Sequence, residues 1–195
     1  MAKRALDVLA SVVALVLAAP LLVAVALLVK LTSSGPVLYR VRRVGKDGVP
    51  FELLKFRSMR EDAARMGSGI TRKDDERVTG VGRFLRRFKI DELPQFINVL
   101  KGEMSLVGPR PEDPRYVDLY SPAQRRVLTV KPGVTSAASI EYRNEEQHLA
   151  GDDWEERYVD VIMPKKLAID LEYLGRPSLL QDVRILGRTV LALFR

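Results

Sequence analysis

Two adjacent carboxylates, Asp91 and Glu92, stand directly after a run of cations (Arg83, Arg86, Arg87, Lys89) and directly before Leu93-Pro94-Gln95. Two further groups suit an anion. Lys55 and Arg57 alternate on a predicted strand, so both point to one face and could hold one phosphorylated ligand. Arg110 is displayed between Pro109 and Pro111 on stiff backbone, with little ordering entropy left to lose on binding. Taken singly, each has a plain structural explanation: a capped helix with a solvated acidic start, a solvated edge strand, a turn. Taken together they outline a site for a phosphorylated substrate.

Other chemistries are excluded early. The chain has no cysteine and one histidine, His148, which rules out disulfides and thiolate chemistry and leaves no basis for a zinc site or a serine–histidine triad. The only Gly-Lys pair, Gly45-Lys46, is followed by Asp47, so there is no phosphate loop of the Walker type, and no dinucleotide fingerprint is present. Charge is uneven. Residues 1–39 carry +2, residues 40–90 carry +8 and residues 91–195 carry −3, which sum to the net +7. A basic middle third can meet anionic lipid, nucleic acid or a phosphorylated small molecule. Aromatic residues interleaved with these cations, as single-strand binders use, are sparse, so nucleic acid is not an expected partner.

The elements that must position these groups follow from pattern. Asp91 suits an N-cap and Pro94 the first turn of a helix running through Phe96, Ile97, Val99 and Leu100 to a stop near Gly102. Partial alternation over Val37–Val44 and Val49–Phe56 around Gly45-Lys46-Asp47-Gly48 predicts a hairpin with Lys55 and Arg57 at its end. Thr79-Gly80-Val81-Gly82 starts a helix with Phe84, Leu85 and Phe88 on one side and Arg83, Arg86 and Arg87 around the others. Glu61–Arg65 is helical, Met66–Gly69 a mobile loop and Arg72–Arg77 a solvated mixed-charge stretch. Asp153–Leu174 is a helix interrupted at Pro164. Ser178–Arg195 has the spacing of a cationic amphipathic helix, suited to the headgroup plane or to an ordinary core.

From Val8 to Val29 the one polar residue is Ser11, a run of 22 residues. As a straight helix that is about 33 Å, enough for a hydrocarbon core of about 30 Å. The run is too long for a signal peptide and continues past Pro20. Lys3 and Arg4 precede it, and Lys30, Arg40, Arg42 and Arg43 follow it. The positive-inside rule places both ends on the cytoplasmic side. A helix broken at Pro20 that dips in and returns satisfies this; a single kinked span does not. The expected organisation is a re-entrant helix–break–helix over 1–34 and a cytosolic-face catalytic domain over 35–195, ending in an amphipathic helix from about 178. The expected fold class is α+β, mostly helical, in a monotopic membrane protein with a small β-hairpin and interfacial helices.

In order and spacing, the pieces resemble the small monotopic phosphoglycosyl transferases of the bacterial sugar transferase family. The resemblance covers nearly the whole chain. It rests on the proline-broken apolar N-terminus, Lys55-Phe56-Arg57-Ser58-Met59, and Asp91-Glu92-Leu93-Pro94-Gln95 followed by Asn98-Val99-Leu100-Lys101-Gly102. It continues with Met104-Ser105-Leu106-Val107-Gly108-Pro109-Arg110-Pro111 and Lys131-Pro132-Gly133-Val134-Thr135. It implies transfer of a sugar 1-phosphate from a nucleotide sugar, usually a UDP-sugar, to polyprenyl phosphate. Asp91 would be the nucleophile in a ping-pong mechanism. Glu92 would act beside it in Mg²⁺ binding or proton handling. Lys55, Arg57, Arg86, Arg110 and Arg143 would bind phosphate, and Pro20 would be the membrane break. The implied cofactor is Mg²⁺, held by Asp91 and Glu92, and the implied location is the cytoplasmic face of a bacterial inner membrane. Membrane lipid is a further partner, and a homodimer is compatible with the chain.

Two stretches depart from the family pattern. Ala19 stands where many relatives carry Ser before the break proline, and Ser136-Ala137-Ala138-Ser139-Ile140-Glu141-Tyr142 replaces the usual residues before Arg143. Two other readings of the same residues are a membrane-anchored basic binding protein and a membrane diphosphatase that uses water as acceptor.

Overall fold

A computed structural model describes residues 2–65, 70–71, 75–149 and 153–193. The predicted loop Met66–Gly69 and the start of the mixed-charge stretch, Arg72-Lys73-Asp74, lie outside the described residues. The chain opens with one helix, α1 (Ala2–Thr32), long and apolar enough to cross a membrane by length and composition. Pro20 lies inside this helix. α1 runs through Pro20 as one helix, so the expected division into helix–break–helix is not seen; the proline removes a single N–H donor.

Both ends of α1 are fastened to the rest of the molecule. Lys3 bonds the Val107 carbonyl at 3.1 Å and Asp182 at 2.5 Å. Asp7 accepts from the Ser105 hydroxyl and the Leu106 N–H. Further along, Val25 and Val29 are buried against Phe56 and Leu85. Asp7, Ser11, Val25 and Val29 recur at helical spacing and form the inward face. Leu9, Val13, Val16, Leu17, Leu27 and Leu31 remain exposed.

The hairpin forms as its Asp-Gly turn predicts. β1 (Leu38–Val44) and β2 (Pro50–Phe56) pair antiparallel, from Leu38↔Phe56 to Val44↔Pro50. Their connection is a tight turn, Lys46–Gly48, with Asp47 left-handed at φ 57°. Residues Glu61–Arg65 form a short 3₁₀ helix. α2 (Gly80–Arg87) is capped by Thr79, whose hydroxyl accepts from the Gly82 N–H at 2.9 Å. Its apolar residues do not share one side as the sequence suggested. Leu85 is fully buried, whereas Phe84 and Phe88 are 54% and 44% exposed. Phe84 and Phe88 are one turn apart on the same flank, and Leu85 lies about 100° around the helix.

α3 (Gln95–Lys101) ends at Gly102 in the left-handed conformation, as predicted. Arg4 donates to its last carbonyls, Val99 at 2.6 Å and Leu100 at 3.1 Å, which supplies cation and donors where a helix C-terminus lacks both. β3 (Ser105–Val107) pairs parallel with β4 (Gly133–Thr135). Between them lies α4 (Pro114–Val117), followed by a 3₁₀ segment, Gln124–Thr129. α5 (Ala137–Glu141) is capped by Ser136. α6 (Trp154–Arg157) continues through a π turn, Tyr158–Ile162, into α7 (Met163–Gly175). The interruption predicted at Pro164 is this wide turn just before the proline, which has no N–H to give the preceding carbonyls. α8 (Leu179–Leu193) closes the described chain. Beneath the acid pair, Val99, Met104, Leu106, Val107, Tyr173 and Ile185 form one core cluster with Leu53 of β2.

Candidate active site

The acid pair does not open the helix as an N-cap. Asp91 sits in a separate 3₁₀ turn, Ile90–Glu92, and α3 starts only at Gln95, with Pro94 at the cap position. The reason is local. Pro94 cannot donate to Ile90, so the chain runs on i→i−3 bonds: Leu93 N–H to Ile90 at 3.2 Å, Phe96 N–H to Leu93 at 3.2 Å and Ile97 N–H to Pro94 at 3.0 Å. Immediately upstream Lys89 is left-handed at φ 56°, turning the chain sharply between α2 and the acid turn.

Lys55 and Arg110 converge on Glu92. Lys55 Nζ lies 2.9 Å from Glu92 Oε1, and Arg110 Nη2 lies 2.6 Å from the same oxygen, with Nη1 at 3.5 Å from Oε2. Asn98 brings Lys55 there. Fully buried on α3, it accepts from the Leu54 N–H at 3.0 Å and donates to the Glu52 carbonyl at 2.7 Å. It thereby stitches α3 to the strand that carries Lys55. Arg110 is brought by the β3–β4 pair. The Gly108 N–H bonds Thr135 O at 3.1 Å and the Gly133 N–H bonds Pro109 O at 2.9 Å. The two backbones approach so closely that a Cβ on Gly133 would meet the Gly108 nitrogen at 2.2 Å. Lys131-Pro132-Gly133-Val134-Thr135 thus serves to aim Arg110.

The two carboxyls of the pair are in opposite electrostatic states. Asp91 is 3% exposed, and its Oδ1 has no hydrogen-bond partner. Burial pushes its pKa up, the neighbouring Glu92 charge adds to that, and Lys55, Arg86 and Lys89 pull against it. Burial would push Glu92 up as well, but Arg110 and Lys55, then Lys89, hold it well below the usual range. Burial also lowers the Lys55 pKa, and Glu92 offsets this only in part. The site therefore holds one committed carboxylate clamping two cations, beside a second, buried carboxyl whose Oδ1 no protein group engages.

The remaining predicted cations separate. Arg57 points away from the pair. Its guanidinium donates to Ser33 O at 2.7 Å, to Ser33 Oγ and to Pro36 O, capping the end of α1. A buried guanidinium facing the carbonyls at and just past the end of α1 is satisfied there, so Arg57 holds that end of α1 rather than a phosphate in this structure. Arg86 is within electrostatic reach of Asp91 but pairs with Glu146 at 3.1 Å. Arg143 lies half-buried in the turn after α5, without an ion pair among the described residues.

Sequence reasoning missed several residues. Gln95 is buried one turn beyond Asp91, and its Nε2 is unpartnered. Asp170 of α7 is buried with an unpartnered Oδ1 and faces the Ser136 hydroxyl and the backbone of Arg110 and Ala138. No pattern in α7 marks it, because one acidic residue on an otherwise ordinary helix reads as solvated. Lys89 was noted only as part of the basic run.

A divalent cation can be weighed against these residues. Mg²⁺ takes oxygen ligands, keeps waters and is commonly held by one or two carboxylates together with substrate phosphates. The free Asp91 Oδ1 fits that donor set. Both Glu92 oxygens are engaged by Lys55 and Arg110. Among the described residues no group of three or more acidic or histidine side chains forms a full metal cage.

The chain matches the bacterial sugar transferase family over residues 1–195. It is 40% identical over 191 residues to a UDP-N-acetylgalactosamine-undecaprenyl-phosphate N-acetylgalactosaminephosphotransferase of Aeromonas hydrophila, covering 96% of this chain and 42% of that protein. It is 42% identical over 193 residues to a UDP-glucose:undecaprenyl-phosphate glucose-1-phosphate transferase of Caulobacter vibrioides, covering 96% of this chain and 68% of that protein. To an exopolysaccharide production protein, ExoY, of Sinorhizobium fredii it is 37% identical over 203 residues, with 96% and 83% covered. The chain thus spans less than half of the Aeromonas protein and about two thirds of the Caulobacter one. With the match running from its first residue to its last, the chain belongs to the bacterial sugar transferase family.

Proposed function

We propose that this chain transfers a sugar 1-phosphate from a UDP-sugar to a polyprenyl phosphate such as undecaprenyl phosphate, as a membrane enzyme of bacterial polysaccharide or glycoconjugate synthesis. The observation that carries the reading is the split acid pair: Glu92 clamping Lys55 and Arg110 beside a buried Asp91 with a free Oδ1. In the first half-reaction an oxygen of ionised Asp91 attacks the β-phosphorus of the donor. An Asp91–phosphorus bond forms, the diphosphate bridge breaks, and UMP leaves with the electron pair. In the second, a phosphate oxygen of the lipid attacks the same phosphorus and Asp91 is released, giving the polyprenyl diphosphate-sugar.

The protein's own groups support each requirement. Lys55 and Arg110 are already gathered, so a diphosphate meets preorganised cations rather than scattered ones. Glu92, held ionised, organises that pair; a carboxyl held so low is poorly suited to carry a proton. Burial keeps water from competing for Asp91 and for its phosphoester. A Mg²⁺ bound at Asp91 Oδ1 would supply further neutralisation of the diphosphate, with Glu92 joining only by releasing a cation.

The same reading covers placement. The chain would be monotopic, with 1–34 as a re-entrant segment and 35–195 on the cytoplasmic face of the inner membrane. Two observations support this. The start of α1 is bonded to residues of β3, α3 and α8, and its end to β2 and α2, so both ends meet one folded body. Pro20 leaves the Val16 carbonyl without its helical partner, the point where a bend is easiest. The outer flank of α8, with Leu179, Leu180, Val183, Val190 and Leu191 exposed, suits the headgroup plane.

The test is donor turnover by detergent-solubilised protein: UMP release from UDP-sugars with Mg²⁺, with and without polyprenyl phosphate. Asp91→Asn should abolish UMP release and the covalent phosphosugar adduct seen by mass spectrometry. Wild-type turnover in that variant would overturn the mechanism. Lipid-independent release in the wild type would point to a hydrolase.

A further inference from the structure

Most cations around the acid pair are committed. Lys55 and Arg110 lie on Glu92, Arg86 on Glu146 and Arg57 on carbonyls at and just past the end of α1. Lys89 is not. Among the described residues its ammonium makes no hydrogen bond or ion pair, although its charge acts on both Asp91 and Glu92. It is half-buried, on a backbone held left-handed at φ 56° between Lys89 N–H→Arg86 O at 3.1 Å and Glu92 N–H→Lys89 O at 3.2 Å. That conformation is unfavourable for any side chain but glycine's, so the surrounding turn, and not the lysine, imposes it.

The residues just before Lys89 are unusual in a different way. Phe84 and Phe88 stand exposed with ring centroids 5.0 Å apart, and the Arg87 guanidinium lies 5.8 Å over the Phe88 ring. The neighbouring side of α2, through Val81 and Leu85, packs on Val25 and Val29 of α1. An exposed aromatic pair beside the apolar helix therefore runs directly into an uncommitted cation, two residues ahead of Asp91. This sequence of apolar surface and then positive charge is complementary to an amphiphile with an isoprenoid chain ending in a phosphate. A nucleotide sugar has no apolar tail to place on the rings.

We infer that Lys89, Phe84 and Phe88 form the subsite for the lipid acceptor, Lys89 taking its phosphate monoester and the two rings its first isoprene units. The inference rests on the transferase reading for the identity of the acceptor. It adds which residues recognise the lipid, separating them from Lys55 and Arg110, which face the donor.

Equilibrium binding of farnesyl phosphate to the detergent-solubilised full chain tests this without relying on turnover. Lys89→Gly keeps the left-handed turn unstrained and removes the cationic side chain. It should weaken farnesyl phosphate binding about tenfold, the loss of one charge-assisted hydrogen bond, and shift UDP-sugar binding less than twofold. Lys89→Arg should restore most of the loss. A Phe84→Ser, Phe88→Ser double variant should weaken farnesyl phosphate about fivefold and leave competition by inorganic phosphate unchanged. Unchanged farnesyl phosphate binding in Lys89→Gly, or an equal loss for UDP-sugar, would overturn the assignment. So would a double variant that loses only its partition into vesicles of phosphatidylglycerol, which would make the rings a bilayer anchor. Failure of the transferase reading looks different: farnesyl phosphate still binds through Lys89, and no UDP-sugar yields UMP.

Discussion

Asp170 gives a test of the site's buried electrostatics that is independent of catalysis. Its carboxyl is buried with an unpartnered oxygen, and burial lifts its pKa to about 6, outweighing the Ser136 hydroxyl and the Arg110 backbone, which pull it down. Relative to an unfolded value of about 4, the folded state therefore favours the protonated form. The folded protein binds more protons than the unfolded chain between about pH 4 and pH 6, so stability falls as pH rises through that window. The full disadvantage of the buried charge, about 3 kcal/mol for a shift of about two units, is reached above pH 6. Integrated between pH 7 and pH 5, this one group should return about 1.3 kcal/mol to the wild type on acidification. Asp170→Asn has no proton to take up and should lose that increment. For a chain of this size 1 kcal/mol corresponds to about 2–4 °C in Tm, so the Tm difference between wild type and variant should change by about 3–5 °C between the two pH values. Differential scanning calorimetry in detergent measures it. Other titrating groups, Asp91 among them, are common to both proteins and drop out of the difference. Parallel pH profiles for the two proteins would refute the reasoning, since they would mean that the charge on Asp170 is solvated.

Three more outcomes can be checked. Arg110→Lys should lower kcat/KM for the donor by about tenfold or more, because an ammonium cannot reproduce a fork that engages both Glu92 oxygens; unchanged kinetics would reduce the Pro-Arg-Pro segment to a turn. Donor turnover should fall on acidification at a higher pH than an ordinary aspartate would give, because Asp91 must be ionised to attack and burial raises its pKa; an acid limb at or below the ordinary aspartate range would contradict this. Gly82→Ala should destabilise the protein by several kcal/mol, since its Cβ would stand 1.8 Å from the Ser58 carbonyl oxygen; a Tm within about 1 °C of wild type would show that α2 is free to shift.

Much of the site was legible because its residues sit in short motifs whose spacing survives folding. The hairpin and its turn, the stop at Gly102 and the display of Arg110 all followed from turn chemistry and proline. The errors have physical sources. Asp91 looked like an N-cap because short acids favour that position, yet Pro94 displaced the helix start to Gln95 and left Asp91 buried instead of solvated. Its help from a helix N-terminus is therefore replaced by a struggle between burial and three cations. Arg57 and Lys55 share a strand face by alternation, but the first residue past the strand found unsatisfied carbonyls at the end of α1, a partner no local pattern reveals. Phe84, Leu85 and Phe88 looked like one apolar side because composition cannot say which of two neighbouring faces meets the core. Asp170 was invisible because its partners, Ser136 and Arg110, are distant in sequence.

The ties at the start of α1 set the order in which the molecule can be completed. Lys3 meets Asp182, separated by 179 residues, and Asp7 meets Ser105 across 98. When α1 leaves the ribosome none of these partners has been synthesised, so its charged end stays untied to the rest of the molecule while translation continues. Only after α8 is made can Asp182, bonded to the Tyr173 hydroxyl at 2.5 Å, add the last of these ties, the one to Lys3. Closure is a long-range step, slow on the scale of local helix formation. A ribosome stalled before residue 182 would therefore display a nascent chain whose first helix can reach Ser105 and Val107 but lacks its tie to α8.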